Sequence, residues 1–292
     1  MAELQIRDLR PEFGSEVRGL EPKAPLDAET IAQLQKLFNE RSVLVFPELN
    51  PDARFQTYLA EVLIGNTDAD PATLPVMEDF QVSNREEKAA APFGRLLYHC
   101  DMMWVESGCQ ALSLYGKDIE QPAVPTLFVS SANGWNTLPD DLRRRVEGRK
   151  AVHCQDATAQ RRDHISSDVL VSHFEVEEFL PLPVGYKHPR TGQTLLYVCP
   201  QMTHHIEGLD HAESEALLEA LFDHLYADEQ VLEHRWQQGD LVVWDNQTMQ
   251  HARPNVTLNA PARTLRKSIA PTPNRNQKAP EHTLVGDETP IM

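Results

Sequence analysis

Short apolar stretches of strand length occur near both ends of the sequence, and they limit the choice of fold more than any other feature. Val43–Phe46 (VLVF) and Leu241–Trp244 (LVVW) are β-branched and aromatic stretches bounded by turn residues, as buried strands are. Helical periodicity lies before and between such stretches, for instance around residues 31–38 and 213–226. No glycine-rich turn joins a strand to a helix, so neither a Rossmann sheet nor a P-loop is indicated. The pattern predicts a mainly β fold with flanking helices.

The remaining elements extend this pattern along the chain without a break. Further strands are predicted at residues 95–104, 109–119, 126–132, 193–200 and 263–271, and a further helix at residues 137–148. No linker is visible, so residues 1–292 are predicted to form a single domain. Residues 66–94 and 155–181 break the pattern and are interpreted as loops suited to a lid. The polar, proline-containing tail, residues 272–292, is predicted to be loosely ordered.

Charge and cysteine usage limit the binding partners and the cellular compartment that are expected for the chain. The sequence has 44 acidic and 27 basic residues, a net charge of −17, which would repel a nucleic-acid backbone. It has no apolar run long enough to span a membrane and no signal peptide at its start, so a cytoplasmic location is expected. The four cysteines lack C-x-x-C spacing, which fits reduced thiols rather than disulfides or a zinc ribbon.

The segment RLLYHCDMMW, residues 95–104, contains a histidine and an aspartate two residues apart. On a strand, His99 and Asp101 would project from the same face. The two-histidine, one-carboxylate triad of non-haem Fe(II) needs a second histidine. His251 is the best candidate, because it follows a predicted buried strand and a bend at residues 245–246. A hydrogen-bonded His–Asp pair without a metal is the alternative interpretation.

Two arginines, Arg263 and Arg266, lie shortly after His251 on the next predicted strand. The planar guanidinium binds a carboxylate through two parallel hydrogen bonds, as a dicarboxylic co-substrate at the metal would require. The alternative is that both are surface cations in a very acidic chain.

Taken together, these segments resemble the taurine dioxygenase family of Fe(II)- and 2-oxoglutarate-dependent oxygenases. The similarity runs from LVFPE through YHCDMMW, VPTLFVSSANGWNTLPDDLR and HPRTGQTLLYV to GDLVVWDNQTMQH and RTLRKSI, in the same order and spacing. The resemblance implies a double-stranded β-helix (jelly roll) with His99, Asp101 and His251 as iron ligands. It also implies that Thr126 and Arg263 bind the distal carboxylate of 2-oxoglutarate. The expected reaction uses O2 to oxidise, most simply to hydroxylate, a small organic molecule, and it releases succinate and CO2.

The sequence departs from the family pattern in two places. Family members commonly carry two arginines four residues apart on one strand face, one for 2-oxoglutarate and one often for an anionic substrate. Here Arg263 and Arg266 are three apart, and a regular strand turns such residues to opposite faces unless a bulge intervenes. The R-x-L pattern favours Arg263 for 2-oxoglutarate, the flank RKSI favours Arg266, and both are kept as candidates. GNTDADPATLP lacks a histidine for a sulfonate, which argues against taurine as the substrate.

Several alternatives stay open. Tyr98 and Trp104 beside the metal strand, and the paired His204 and His205, are candidates for a substrate pocket, although core packing or a surface loop would explain them equally. A cupin-like metal-dependent isomerase or hydrolase without a keto acid, and a non-catalytic binding barrel, are the competing functions. Asp101 argues against the related halogenases, which lack the carboxylate ligand. The substrate, a choice between hydroxylation and desaturation or cyclisation, and assembly into a homo-oligomer are left undecided.

Overall fold

Two β-sheets packed face to face form the centre of the structure, a computed structural model. It describes residues 3–76, 78, 80–85, 89–105, 108–158, 166–173, 178–272 and 281–284. The first half of the chain forms β1 (Gln5–Asp8), β2 (Ser15–Arg18), α1 (Ala28–Arg41), β3 (Val43–Phe46), α2 (Ala53–Leu63), β4 (Gln81–Ser83), β5 (Gly94–His99), β6 (Ala111–Ile119), β7 (Thr126–Ser130), α3 (Ser131–Asn136) and α4 (Asp140–Val146).

The second half contains most of the remaining strands and one long helix. Its elements are β8 (Lys150–His153), β9 (Leu170–His173), β10 (Leu180–Pro183), β11 (Gly185–Lys187), β12 (Thr194–Leu196), β13 (Thr203–Ile206), α5 (His211–Leu225), β14 (Leu232–His234), β15 (Leu241–Asp245), β16 (Met249–Val256), β17 (Arg263–Ala270) and β18 (Glu281–Leu284). A 3₁₀ turn at Asp228–Gln230 follows α5.

The larger sheet has seven strands in the order β1-β2-β3-β15-β6-β17-β4, and the facing sheet has four in the order β14-β7-β16-β5. Neighbouring strands in both run antiparallel, except for the parallel pair β2 and β3. The sheets share one apolar core, in which Trp244 of β15 meets Phe128 of β7 edge to face with ring centroids 5.1 Å apart. This arrangement is a double-stranded β-helix, and the predicted fold class is confirmed.

The predicted helix and strand near the start of the chain are both present. Asp27 caps α1, because its side chain accepts a hydrogen bond from the Thr30 N–H, and Leu34 and Phe38 are buried. The helix ends where Ser42 adopts a left-handed conformation (φ 61°). β3 then follows, buried along its length and paired with β15. Capping and apolar spacing therefore produced these elements as the sequence indicated.

Predictions for the irregular segments were wrong in part. Residues 66–94 contain β4, the described part of residues 155–181 contains β9 and the start of β10, and the tail contributes β18. Within the described part of the chain, β4 pairs with β17 at one edge of the larger sheet, and β9 and β18 pair with each other. Strands of three or four residues are too short to show a clear alternation of apolar and polar residues. The rest of the tail, residues 273–280 and 285–292, lies outside the described residues.

All four cysteines are buried, and none of them forms a disulfide with another. Within the described part of the chain, none of the helices has both the length and the apolar character needed to cross a membrane.

Candidate metal centre and co-substrate site

Three potential metal ligands meet between β5 and β16. His99 is the last residue of β5, and His251 lies directly opposite it on β16. The Oδ1 atom of Asp101 lies 3.4 Å from His99 Nε2 and 3.6 Å from His251 Nε2. One donor atom from each of the three residues lies within 4.8 Å of the other two. The structure thus brings the three predicted ligands together in the arrangement that a metal site requires.

Asp101 reaches the site from a turn, and the predicted strand over residues 95–104 is wrong beyond His99. Met102 has a positive φ of 60°, which takes the chain out of extended conformation. The Asp101 N–H donates to Asn246 Oδ1 (3.0 Å), and Asn246 Nδ2 donates to the Asp101 carbonyl (2.8 Å). These backbone groups are bonded to a side chain and not to a neighbouring strand. The argument from a shared strand face therefore fails, although the two side chains do meet.

The protonation of the ligands suits a cation. His99 Nδ1 lies 2.7 Å from the Leu97 carbonyl, which can only accept, so Nδ1 carries the proton and Nε2 keeps a free lone pair. Burial and the neighbouring His99 hold the pKa of His251 well below its usual value, so its imidazole is neutral. Burial raises the pKa of Asp101, but the Lys267 ammonium outweighs burial and holds it well below the usual range. Two imidazoles and one carboxylate fit a divalent transition metal.

Lys267 is a residue of the site that the sequence reasoning missed. Its Nζ forms a close ion pair with Asp101 Oδ2, and it lies 5.4 Å from the centre of the Phe80 ring. The Lys267 N–H donates to the Phe80 carbonyl at 2.7 Å, which fixes the aromatic ring beside the ammonium. A signal was available, because Lys267 stands four residues after Arg263, the spacing that the family gives to its second arginine.

Arg263 lies in the core beside Thr126, as the resemblance implied. Its Nη2 donates to Thr126 Oγ1 (3.0 Å), and its Nε donates to the Val124 carbonyl (2.8 Å). Trp236 Nε1 also donates to Thr126 Oγ1, at 2.9 Å. Both lone pairs of the Thr126 hydroxyl are therefore used, and its own proton is left to donate to an acceptor. Burial and the positive charge of Arg253 lower the pKa of Arg263. Within the described residues no carboxylate pairs with Arg263, so an anion would complete this site.

Arg266 faces the other side of the larger sheet, and its proposed role in binding 2-oxoglutarate is not retained. Its Nε donates to Gln56 Oε1 (2.8 Å), its Nη2 donates to the Pro51 carbonyl (2.7 Å), and the guanidinium lies 4.6 Å from the Tyr115 ring centre. A bulge does occur between Thr264 and Leu265, but it leaves Arg263 and Arg266 on opposite faces. Arg266 anchors the sheet to the start of α2 and does not reach Thr126.

A third buried guanidinium belongs to Arg253, two residues after His251. Its Nη1 donates to the Ala91 carbonyl (2.6 Å), and its Nη2 donates to the carbonyls of Phe93 and Gly94 (2.7 Å each). Burial lowers the pKa of Arg253 to about 10, so the group remains a cation at neutral pH. Arg253 therefore fixes the segment that leads into β5, and it adds positive charge near Arg263.

The weaker candidates for a substrate pocket lie elsewhere. Tyr98 is on the face of β5 opposite to His99 and stacks on Tyr226, with ring centroids 4.1 Å apart. Trp104 packs against the cluster of Cys100, Met103 and Tyr197. His204 and His205 contact each other, with their Nδ1 atoms 2.8 Å apart, and the His204 ring meets Phe179. These contacts do not place the four residues at the metal ligands.

Comparisons with known proteins agree with the fold. The chain is 26% identical over 278 residues to the "Alpha-ketoglutarate-dependent 2,4-dichlorophenoxyacetate dioxygenase" of Cupriavidus pinatubonensis, covering 89% of this chain and 95% of that protein. It is 26% identical over 259 residues to the "Alpha-ketoglutarate-dependent sulfate ester dioxygenase" of Pseudomonas putida, covering 85% and 83%. The structure matches that of the protein AAD-2 in complex with Mn(II) and N-oxalylglycine, with a TM-score of 0.72, 19% identity and coverage of 91% and 96%.

The class of protein follows from these observations: the chain is a 2-oxoglutarate-dependent dioxygenase that oxidises a small organic molecule and carries a His-Asp-His metal site. The relatives give no support to the alternative of a cupin-like isomerase or hydrolase. The family described as "Taurine catabolism dioxygenase TauD, TfdA family" matches residues 5–268. The chain belongs to this TauD/TfdA family.

Proposed function

We propose that the metal is Fe(II), held by His99, Asp101 and His251. The support is the donor set, two imidazoles and one carboxylate in a largely buried site, which is typical of non-haem Fe(II) oxygenases and leaves coordination positions open. When bound, the iron would supply the redox chemistry that couples oxidative decarboxylation of 2-oxoglutarate to oxidation of the substrate. The chain's own task is to orient the reactants and to exclude water.

Arg263 and Thr126 are proposed to bind the distal carboxylate of 2-oxoglutarate. The observation that carries this proposal is the buried Arg263 guanidinium. Its hydrogen-bond partners among the described residues are neutral, and it lies against a hydroxyl with a proton to donate. A carboxylate there would receive charge-assisted hydrogen bonds from both groups and would neutralise a cation that burial disfavours.

The primary substrate is proposed to be a small organic anion. Lys267 supports this choice, because its ammonium lies in the site and pairs with Asp101. With a metal on Asp101, that carboxylate would no longer be available to Lys267 alone, and a substrate anion would take its place. The two relatives are named for 2,4-dichlorophenoxyacetate and for sulfate esters, which both carry a negative charge. Phe80 beside Lys267 offers an apolar surface for the body of such a molecule.

Two measurements test the proposed function. Anaerobic protein loaded with Fe(II) should develop a visible charge-transfer absorption when 2-oxoglutarate is added, because both the keto acid and the site are then in place. Succinate release should next be measured across a panel of carboxylates, sulfonates and sulfate esters, each matched to a neutral amide or alcohol. The proposal requires anions to stimulate succinate release and the neutral analogues to fail. Tight Zn2+ binding without the absorption band would instead favour a metalloenzyme that uses no keto acid.

A further inference from the structure

We propose that Asn246 is a positioning residue that fixes the Asp101 carboxylate relative to the two histidines. This inference rests on the proposed metal site and goes beyond it, because Asn246 contributes no ligand. It lies at the bend between β15 and β16, next to the loop that leads to His251.

Both the nitrogen and the oxygen of the Asn246 side-chain amide form hydrogen bonds with the segment that carries Asp101. Its Nδ2 donates to the carbonyls of Asp101 (2.8 Å) and Cys109 (3.0 Å), and its Oδ1 accepts from the Asp101 N–H (3.0 Å). The Asn246 backbone N–H donates to the Gln110 carbonyl at 2.9 Å. Only 1% of the residue is exposed, so water does not replace these bonds. One side chain thus forms hydrogen bonds with both ends of the connection between β5 and β6.

Asn246 is itself held by a buried ionic cluster around Asp245. The Asp245 carboxylate accepts hydrogen bonds from the backbone N–H groups of Gln247 and Thr248, at 3.0 Å each. It also lies 3.1 Å from His188 Nε2 and forms a close ion pair with Arg190. The bend therefore has a fixed backbone, and the Asn246 side chain extends from a rigid support.

Asp101 needs such a support more than the histidines do. His99 and His251 are placed opposite each other by strand pairing, and His99 is further held by the Leu97 carbonyl. Asp101 lies beyond the end of β5 and gains no position from the sheet. Its carboxylate is also attracted by the Lys267 ammonium. Without Asn246, the turn could rotate the carboxylate away from the imidazoles, because no strand pairing would oppose this movement.

Metal affinity measured apart from turnover tests the proposal. Full-length protein stripped of metal would be titrated anaerobically with Co(II), which reports the ligand set through its visible absorption, and with Fe(II). Asn246→Ala should weaken binding of both metals about ten- to a hundredfold, the range found when residues that orient a ligand are removed. Asn246→Asp keeps the acceptor for the Asp101 N–H but loses both donors, and it should weaken binding by roughly tenfold. At saturating metal, the apparent KM for 2-oxoglutarate should stay within about threefold of wild type, since Arg263 and Thr126 are untouched.

Gln250→Ala is the matched control. Gln250 is as deeply buried, neighbours His251, and makes three hydrogen bonds, to Ser131, Val198 and Tyr226, but none of them involves Asp101. It should lower the melting temperature of the metal-free protein about as much as Asn246→Ala and leave Co(II) affinity within about threefold of wild type.

The proposal is overturned if Asn246→Ala binds Co(II) within about threefold of wild type, or if Gln250→Ala loses as much affinity. If Asn246→Ala does not fold, the isosteric Asn246→Asp decides, and wild-type affinity in that variant overturns the proposal. A wild-type protein that binds neither Co(II) nor Fe(II) would instead refute the metal site on which the inference depends.

Discussion

Replacing Arg263 by glutamine should weaken 2-oxoglutarate binding strongly while leaving metal binding nearly intact. The Arg263 guanidinium is buried, donates to the Thr126 hydroxyl and the Val124 carbonyl, and has no anionic partner among the described residues. A bound carboxylate would therefore be its only charge partner. The glutamine amide keeps a hydrogen-bond donor but removes the charge, so the loss would report the ion pair.

The size of the loss can be worked out from this geometry. Deleting one member of a buried, hydrogen-bonded charge pair costs about 2–5 kcal/mol, much of it from leaving the other charge without a partner. Because each 1.4 kcal/mol corresponds to a factor of ten, the 2-oxoglutarate Kd should rise by roughly 30- to 3000-fold. Fe(II) affinity should change less than about threefold, since no ligand is lost.

The assay is an anaerobic titration of the Fe(II)-loaded protein with 2-oxoglutarate, followed by its visible absorption. Arg266→Gln is the matched control, because Arg266 is a buried arginine of the same strand that contacts Gln56 and Pro51 on the other face. It should lower the free energy of unfolding by about 1–3 kcal/mol and leave the 2-oxoglutarate Kd unchanged.

A large rise in Kd for Arg266→Gln with none for Arg263→Gln would refute the assignment and exchange the two roles. If neither variant changed the Kd, the keto acid would have to be bound by other residues, and the buried cation would need another explanation.

Three further predictions concern groups with different tasks. Asp101→Ala should abolish succinate production and measurable Fe(II) binding. It should lower the free energy of unfolding by only about 1–3 kcal/mol, because the Lys267 ammonium left behind retains some access to water. Normal substrate-dependent succinate release by this variant would contradict the prediction. Lys267→Ala should raise KM for anionic substrates about tenfold or more with a smaller effect on neutral analogues, and Lys267→Arg should restore most of the difference in a succinate assay. His153 is fully buried, and burial lowers its pKa from 6.5 to about 3. Below pH 6.5 the unfolded chain therefore binds a proton that the folded protein does not bind until the pH falls to about 3. The free energy of unfolding should therefore fall on acidification between about pH 6 and 4. When it is measured by urea titration at several pH values, its slope against pH should be smaller for His153→Gln by about 1.4 kcal/mol per pH unit. An unchanged slope would show that His153 is already protonated in the folded protein.

Local sequence signals were sufficient for the strands that carry the site but not for the turn that completes it. Val43–Phe46 and Leu241–Trp244 were readable because apolar strand residues and flanking turn residues agree. The end of β5 at His99 could not be predicted from the neighbouring residues. The Asp101 backbone is hydrogen-bonded to the side chain of Asn246, which lies 145 residues further along the chain. A contact of that sequence separation leaves no periodic trace near residue 101.

The strand with the cations shows a different limit. A regular alternation correctly separates Arg263 from Arg266, and it also places Lys267 on the Arg263 face. The family spacing of four residues after Arg263 falls on Lys267, whereas Arg266 matches the family only in residue type. Residue type indicates Arg266 as the second cation of the site, and strand position indicates Lys267. Position was the better guide, because the face of a strand decides which groups a side chain can contact.

Net charge describes the surface of this protein and misrepresents its interior. The chain carries a net charge of −17, yet Lys267 pairs with the ionised carboxylate of Asp101, and Arg253 and Arg263 are buried on the strands that carry His251 and Lys267. A divalent metal would add two further positive charges, and an imidazole ligand carries no negative charge to offset them. Burial makes such a concentration of cations unfavourable unless anions enter. A dicarboxylate co-substrate and a singly charged organic substrate together supply three negative charges, which would lower the net charge of these groups from +4 to +1. This local balance, and not the overall acidity, would allow an acidic chain to bind a dicarboxylate together with the proposed organic anion.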